Sequence, residues 1–405
     1  MRALYTVALR LALPLILLRL WWRGRREPGY RDHVQERFGM YAGERPQKAL
    51  WVHAVSVGEA RAAAPLVREL QRLAPDHALV MTCTTAAGRE TLRQVYGDSV
   101  TATFLPYDYP ETVEAFLERF RPRLGVLMET ELWPNLLAAC QRHDVPVVLA
   151  NARMSEKSAR GYRRWRGLTK PAIRSLAMVC AQSDADAARL RELGAPRVEV
   201  TGNLKFDVSL DEAQLERGRE WKSRLARPVL LLASTRDGEE KLLLQAVGEA
   251  EFLTVVVPRH PQRFNEVASL AQSRKSESAL PAPTHRVYLG DTMGEMAFYY
   301  GAADVAIIGG SFMPLGGQNL IEALAAGVPV VVGPSMYNFA EATRLALEAG
   351  AAIQAPDAGA AVRAASALLS DPQRRAAMAA AGRKLCLEHR GATARHLAVL
   401  SSELH

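Results

Sequence analysis

A chain of 405 residues that is 49% apolar and 23% charged carries too much hydrophobic side chain for a disordered protein and enough to fill two or three domain cores. Its 28 Gly and 22 Pro follow no repeat, which excludes collagen-like and low-complexity architectures. Cys83, Cys140, Cys180 and Cys386 form no C-x-x-C pair, so a zinc cluster, a redox pair and a disulfide framework are not expected, and a reduced cytoplasmic compartment is the simpler setting.

The 51 basic and 43 acidic side chains, net +8, are unevenly placed. Residues 1–40 hold eight Arg against three acids, and residues 153–170 hold seven bases against Glu156. Because the first cluster overlaps an apolar run, the charge points to anionic lipid rather than nucleic acid. That run, Ala3 to Trp22, is long enough to span a bilayer as a helix. Arg10, Pro14 and Arg19 interrupt it, and an Arg at a span centre costs roughly 2.5–3.5 kcal/mol. A span and an interfacial anchor therefore both stand, with a buried core helix as a third reading. Trp21 and Trp22, followed by Arg23, Arg25 and Arg26, suit the headgroup level and favour a cytoplasmic place for the rest of the chain. No cleavage site is visible after the run, so a removed signal peptide is not expected. Residues 1–40 are read as an anchor with a basic flank.

From Ala49 onward short apolar runs alternate with amphipathic stretches: ALWVHAV, HALVMTCT, RLGVLMET and PVVLAN, each followed by a helical pattern. A second series, PVLLLAS, FLTVVVP, DVAIIGG and VPVVVGP, repeats the alternation with runs apolar enough to be buried on both faces. The expected fold class is α/β, with two Rossmann-like domains facing a cleft, at residues 41–210 and 211–405. The boundary is set in the charged stretch 210–226, and the Ala-rich tail is read as closing helices of the second domain.

In open α/β sheets ligands sit beyond the carboxyl ends of the strands, so residues just after apolar runs are the candidates for chemistry. WVHAVSVGE ends a strand and starts a helix at Glu59. Helix amides would lower that carboxyl's pKa and burial would raise it; helix-start acidity alone also accounts for Glu59, and His53 is read as a packed imidazole. METELWPN places Glu129 and Glu131 at i and i+2, on one side if both lie on a strand, and Pro134 in the first turn of a helix. TGNLKFD offers Lys205 as a point charge for phosphate or carboxylate, or merely a solvated surface lysine. VPRHPQRF puts Arg259 and His260 at a strand tip. In the segment Gly309 to Pro334, Gly316 and Gly317 precede a helix expected to begin at Gly317-Gln318-Asn319, an anion site of free amides with Glu322 one turn in, unless the glycines serve only to form the turn. It is neither a G-x-G-x-x-G fingerprint nor a Walker loop. The triplet Asp184-Ala185-Asp186 opens a helical pattern and is read as helix-start acidity, not a metal site.

Together WVHAVSVGE, METELWPN, ANARMS, GNLKFD, VPRHP, GDTMGE and the Gly309–Pro334 segment resemble the bacterial 3-deoxy-D-manno-octulosonate (Kdo) transferases of lipopolysaccharide synthesis, in one order along nearly the whole chain. The resemblance implies a GT-B fold at the cytoplasmic side of the inner membrane. It also implies inverting, metal-independent transfer of Kdo from CMP-Kdo to a lipid A precursor, with no cofactor. It makes Glu59 the general base and Glu129 and Lys205 supports of the transition state. CMP would be held by Pro258, Arg259 and His260, by Met293, Gly294 and Glu295, and by Asn319, Leu320, Ile321 and Glu322. Gln318 departs from the His often found there and cannot carry charge. Two other readings stay open on sequence alone: a UDP-sugar transferase or epimerase on the same fold, and a membrane-tethered nucleotide-sugar binder without catalysis.

Overall fold

The computed structural model describes residues 1–43, 46 and 48–404. They form two compact units, Met1–Asp207 with Gly391–His405, and Val208–Arg390.

The first unit is built on a parallel sheet of β1 (Ala49–His53), β2 (Ala78–Cys83), β3 (Thr101–Phe104), β4 (Pro122–Met128), β5 (Val147–Ala152), β6 (Met178–Ala181) and β7 (Val198–Val200). Their order is β3-β2-β1-β4-β5-β6-β7. The apolar runs of the central strands are buried on both faces: Trp51, Leu127 and Leu149 enter one layer of helices, Leu50, Val52 and Met81 the other. The chain leaves β1 toward β2 on one side and later takes up β4 on the other. The β1 and β4 carboxyl ends therefore flank the point where such sheets open a crevice.

The second unit repeats the plan with β8 (Val229–Thr235), β9 (Leu253–Pro258), β10 (Ser273–Arg274), β11 (Val287–Leu289), β12 (Val305–Ile308), β13 (Val330–Val332) and β14 (Ala352–Gln354). The order β10-β11-β9-β8-β12-β13-β14 puts its crevice between the ends of β8 and β12.

Two expectations about organisation are corrected. The boundary expected in the charged stretch 210–226 falls just before it, between Asp207 and Val208, and the stretch forms the helix Glu212–Ser223 of the second unit. It packs so closely on the helix Met296–Ala302 that a Cβ at Gly218 would lie 2.1 Å from the Phe298 carbonyl, and one at Gly301 2.2 Å from the Leu215 carbonyl. Residues 211–405 also do not form one domain, because the helix Ala392–Leu404 returns to the first unit. Its apolar face, with Ala392, Val399 and Leu400, fills the layer that holds Leu204 and Val126.

The amino-terminal run forms one helix, Arg2–Arg26, long and apolar enough to cross a membrane. Leu4, Val7, Leu11, Leu15, Leu18 and Trp22, spaced three or four apart, form an exposed stripe. The helix is tied to the first unit by polar contacts. Asn135 Nδ2 donates to Thr6 Oγ1 at 3.0 Å, Tyr109 Oη donates to the Leu9 carbonyl at 2.9 Å, Arg10 pairs with Glu111, and Tyr5 bonds Asp108.

Candidate active site

After β1 the chain turns at Ser56, whose hydroxyl caps the helix Val57–Ala62. Glu59, in that first turn, folds back on the cap: Val55 N–H donates to Oε2 at 2.8 Å and the Ser56 hydroxyl to Oε1 at 3.0 Å. This is the reciprocal bonding that S-x-x-E sequences favour, reached here one residue earlier in the backbone. Hydrogen bonding does not decide the acidity. Burial raises the Glu59 carboxyl and the charge of Glu129 raises it further, against the Val55 and Ser56 bonds, so that it is pushed up to about 7. A carboxyl held near neutrality at a strand end has the acidity a general base needs at cellular pH.

Glu129 follows β4 directly. It does not continue the strand, as pairing it with Glu131 on one strand face requires: β4 ends at Met128, and Glu129 takes a left-handed conformation, φ 60°. Its N–H bonds the Ala150 carbonyl at 2.9 Å, and its carboxylate receives Lys205 Nζ at 3.0 Å. Both side chains are more than four-fifths buried. Glu131 is held by the Trp133 indole N–H at 3.0 Å, and burial, then Glu129, raise its carboxyl. Pro134 opens the helix Pro134–Arg142 as expected. Glu59 and Glu131 thus gather about Glu129 at the switch point, and Glu129 in turn holds Lys205. His53, wholly buried, bonds Thr82 through Nδ1 and is pushed down to about 4 by burial, which keeps it neutral.

Lys205 sits on the short turn Leu204–Phe206, capped by Asn203, which accepts the Lys205 N–H at 3.0 Å. The start of that turn is fixed by Asn151, whose Oδ1 accepts Leu204 N–H at 3.0 Å. Asn151 is buried and left-handed, φ 51°. Such backbone at non-glycine residues is uncommon and concentrates at functional sites, and Glu129 and Asn151 place it at the ends of adjacent strands.

In the second unit Pro258 closes β9 inside the core, and Arg259 N–H bonds the Thr235 carbonyl across to the end of β8. Burial, then Arg236, Arg259 and Arg263, lower the pKa of His260, so the imidazole is neutral amid three guanidinium groups. Arg236, which the sequence did not single out, therefore belongs to this basic cluster. Buried Glu239 joins the β8 and β12 loops, accepting from the N–H groups of Arg236, Gly310 and Phe312. Glu240 is chelated by Arg263. Met293 is exposed and Gly294 is left-handed, φ 75°. Against burial, the Lys275 and Thr292 hydrogen bonds hold Glu295 below the usual carboxylate range.

The glycine loop differs from expectation in two ways. The helix begins at Ile321, not Gly317, so Glu322 lies in its first turn, where Oε1 accepts Asn319 Nδ2 at 2.9 Å. The amides of Gly316, Gly317 and Gln318 are already spent on Ser335 Oγ and on the Gly310 and Gly309 carbonyls, and Ile321 N–H on Asn319 Oδ1. These four groups are therefore not an anion cradle. The glycines are required by conformation instead, with φ 83° at Gly316 and 74° at Gly317. Leu320 and Ile321 are buried and pack rather than present side chains. Asp184 and Asp186 lie in the first turn of the helix Asp184–Leu193, as helix-start acidity expects, and Asp186 also accepts Met154 N–H from a separate segment.

Residues 32–208 match the family model of 3-deoxy-D-manno-octulosonic-acid transferase (kdotransferase), and residues 268–385 that of glycosyl transferases group 1. The chain is 47% identical to the 3-deoxy-D-manno-octulosonic acid transferase of Bordetella pertussis, over 100% of this chain and 99% of that one. It is 35% identical to the enzyme of the same name from Haemophilus influenzae, over the same shares. Among solved structures it is similar to the UDP-GlcNAc 2-epimerase of Neisseria meningitidis, at 18% identity over 88% of this chain and 100% of that one, with a TM-score of 0.58. That likeness is one of fold, which is GT-B. Identity that extends end to end, on a chain with an acid and cation cluster at its first switch point, makes the conclusion plain: the chain belongs to the 3-deoxy-D-manno-octulosonic acid transferases, and is a glycosyltransferase.

Proposed function

We propose that the protein transfers Kdo, with inversion and without a metal or other cofactor, from CMP-Kdo to a lipid A precursor, a tetra-acylated disaccharide phosphate. The reaction serves lipopolysaccharide core synthesis at the cytoplasmic face of the inner membrane. The observation that carries the reading is the Glu59 carboxyl, pushed up to about 7 beside the Lys205–Glu129 pair.

The acceptor hydroxyl is far too weak an acid to ionise alone. Glu59 takes its proton as the oxygen bonds to the anomeric carbon, a contribution of roughly 10²–10⁴-fold. The bond from that carbon to the phosphate oxygen breaks, and its electron pair leaves with CMP. Charge building on the phosphate is met by fixed cations, for which Arg259 and its neighbour Arg236 are the candidates, and Glu322 binds ribose hydroxyls. A single displacement fits the carboxylates: Glu129 is committed to Lys205 and is a poor nucleophile, which supports inversion over a covalent intermediate.

The exposed stripe on Arg2–Arg26, with the polar ties of Tyr5, Thr6, Leu9 and Arg10 to the first unit, supports a helix lying along the membrane surface rather than crossing it. Purified protein incubated with CMP-Kdo and the tetra-acylated acceptor is expected to yield a product heavier by one or more Kdo units. No product, together with calorimetric preference for UMP over CMP, would replace this reading with the UDP-sugar one.

A further inference from the structure

The two chain crossings between the units begin and end beside the Lys205 turn, and they are fastened to each other. Asp207, the last residue of the first unit before the outward crossing, accepts the N–H of Gly391 at 2.7 Å through Oδ1 and that of Thr393 through Oδ2. Gly391 is where the chain re-enters the first unit, and the Asp207 carboxylate caps the helix Ala392–Leu404 from outside, where its charge complements the helix dipole. One turn along that helix, His396 is fully buried; its Nδ1 donates to the Ala392 carbonyl at 2.7 Å, which leaves Nε2 as the acceptor of Asn151 N–H at 2.9 Å. Asn151 passes the contact on through Oδ1 to Leu204 N–H, and Gln182 Nε2 holds its carbonyl at 2.8 Å. The turn that presents Lys205 to Glu129 is thus gripped at its start by Asn151 and at its end by Asp207, anchored to the carboxyl-terminal helix and its start across 245 and 184 residues of sequence.

We propose that Asp207, His396 and Asn151 are positioning residues that set Lys205 on Glu129, so that the carboxyl-terminal helix belongs to the catalytic machinery of the first unit. This rests on the transferase reading for its kinetic test but not for its chemical one. None of the three touches Glu59; each acts through the place of the Lys205 ammonium. A lysine displaced by about 1 Å is enough to cost up to ~10²-fold in rate.

The test uses the full chain with Asn151→Gly, which keeps the left-handed backbone and its N–H and carbonyl bonds to His396 and Gln182 while removing the side-chain amide that supplies the Oδ1 acceptor, and Asp207→Ala, which keeps the proposal testable if the first variant does not fold. Reductive methylation followed by mass spectrometry is expected to label Lys205 at least about 5-fold faster in either variant, with Lys222, paired to Asp304 in the other unit, changed less than about 2-fold. In the transfer assay kcat is expected to fall at least about 10-fold with the KM for CMP-Kdo held within about 3-fold, and the same substitutions made on Lys205→Ala to cost less than about 2-fold more. Additive losses on Lys205→Ala, or labelling that rises equally at Lys222, would overturn the proposal. If the variants label as described yet wild type transfers no Kdo, the transferase reading has failed and the positioning network has not.

Discussion

Lys205 Nζ lies 3.0 Å from Glu129 Oε1, and Glu129 is the charge that, after burial, does most to raise Glu59. The lysine is thereby an indirect regulator of the base: it offsets the carboxylate that makes Glu59 hard to ionise. Removing either member of the pair should move the Glu59 titration, in opposite directions.

Glu129→Gln deletes the neighbouring negative charge, so Glu59 ionises more easily and the acid limb of the kcat/KM profile shifts to lower pH. Lys205→Ala leaves Glu129 uncompensated, and the limb shifts upward, with kcat reduced by about 10²-fold or more from loss of a preorganised cation. Initial rates between pH 5 and 9 check both. Shifts of the same sign would show that the two charges do not act through Glu59.

Glu59 should also cost stability. Its folded pKa of about 7 lies above the ordinary carboxylate value of 4.5, so the folded state binds the proton more tightly. Stability falls as pH rises from about 4.5 to 7, by an amount of order 1–3 kcal/mol. Glu59→Gln removes this, and at pH 8 its melting temperature should exceed that of wild type by a few degrees, the gap closing toward pH 5. A variant that melts below wild type at pH 8 would contradict the acidity assigned to this site.

Two histidines act with the opposite sign. Burial pushes His53 and His396 down to about 4, so both are neutral in the fold and protonate near 6.5 when unfolded. Their contribution is intact above about pH 6.5 and is lost as pH falls toward 4. These contributions oppose that of Glu59 as pH falls through the window, so the test is a difference: relative to wild type, His53→Asn should lose less urea midpoint between about pH 6.5 and 4. An unchanged slope would show that His53 does not contribute.

In the second unit, Gly317→Ala tests the glycine loop. The residue is left-handed, φ 74°, which strains an alanine, and an added Cβ would lie 2.2 Å from Met336 Sδ, so either the Met336 side chain or the loop leading to Asn319 and Glu322 must shift. Calorimetry should show CMP binding weakened at least about 10-fold, with the melting temperature within a few degrees of wild type. Unaltered affinity would separate this loop from the nucleotide site.

The sequence made the longer central strands legible, but not the outer ones or the short interior strands β6 and β11. β1, β2, β4 and β5, and β8, β9, β12 and β13, are buried on both faces and read as unbroken apolar runs. β3, β7, β10 and β14 lie at sheet edges, are two to four residues long and mix exposed with buried positions, so their pattern falls below what periodicity detects. The same holds at the site. Glu59, Glu129 and Lys205 stand out because each follows an apolar run or turn signal. Their mutual placement, and the roles of Asn151, Asp207 and His396, depend on pairings across 53 to 245 residues that no local signal encodes.

The most direct measurement is single-turnover transfer from CMP-Kdo to the lipid A precursor by wild type and Glu59→Gln, followed across pH, with CMP-Kdo affinity measured in parallel. A base with the acidity of Glu59 predicts a wild-type acid limb near pH 7, and a variant that binds donor within about 3-fold of wild type yet turns over at least about 10²-fold more slowly at every pH. A Glu59→Gln enzyme that retains the wild-type rate and the same acid limb would contradict it.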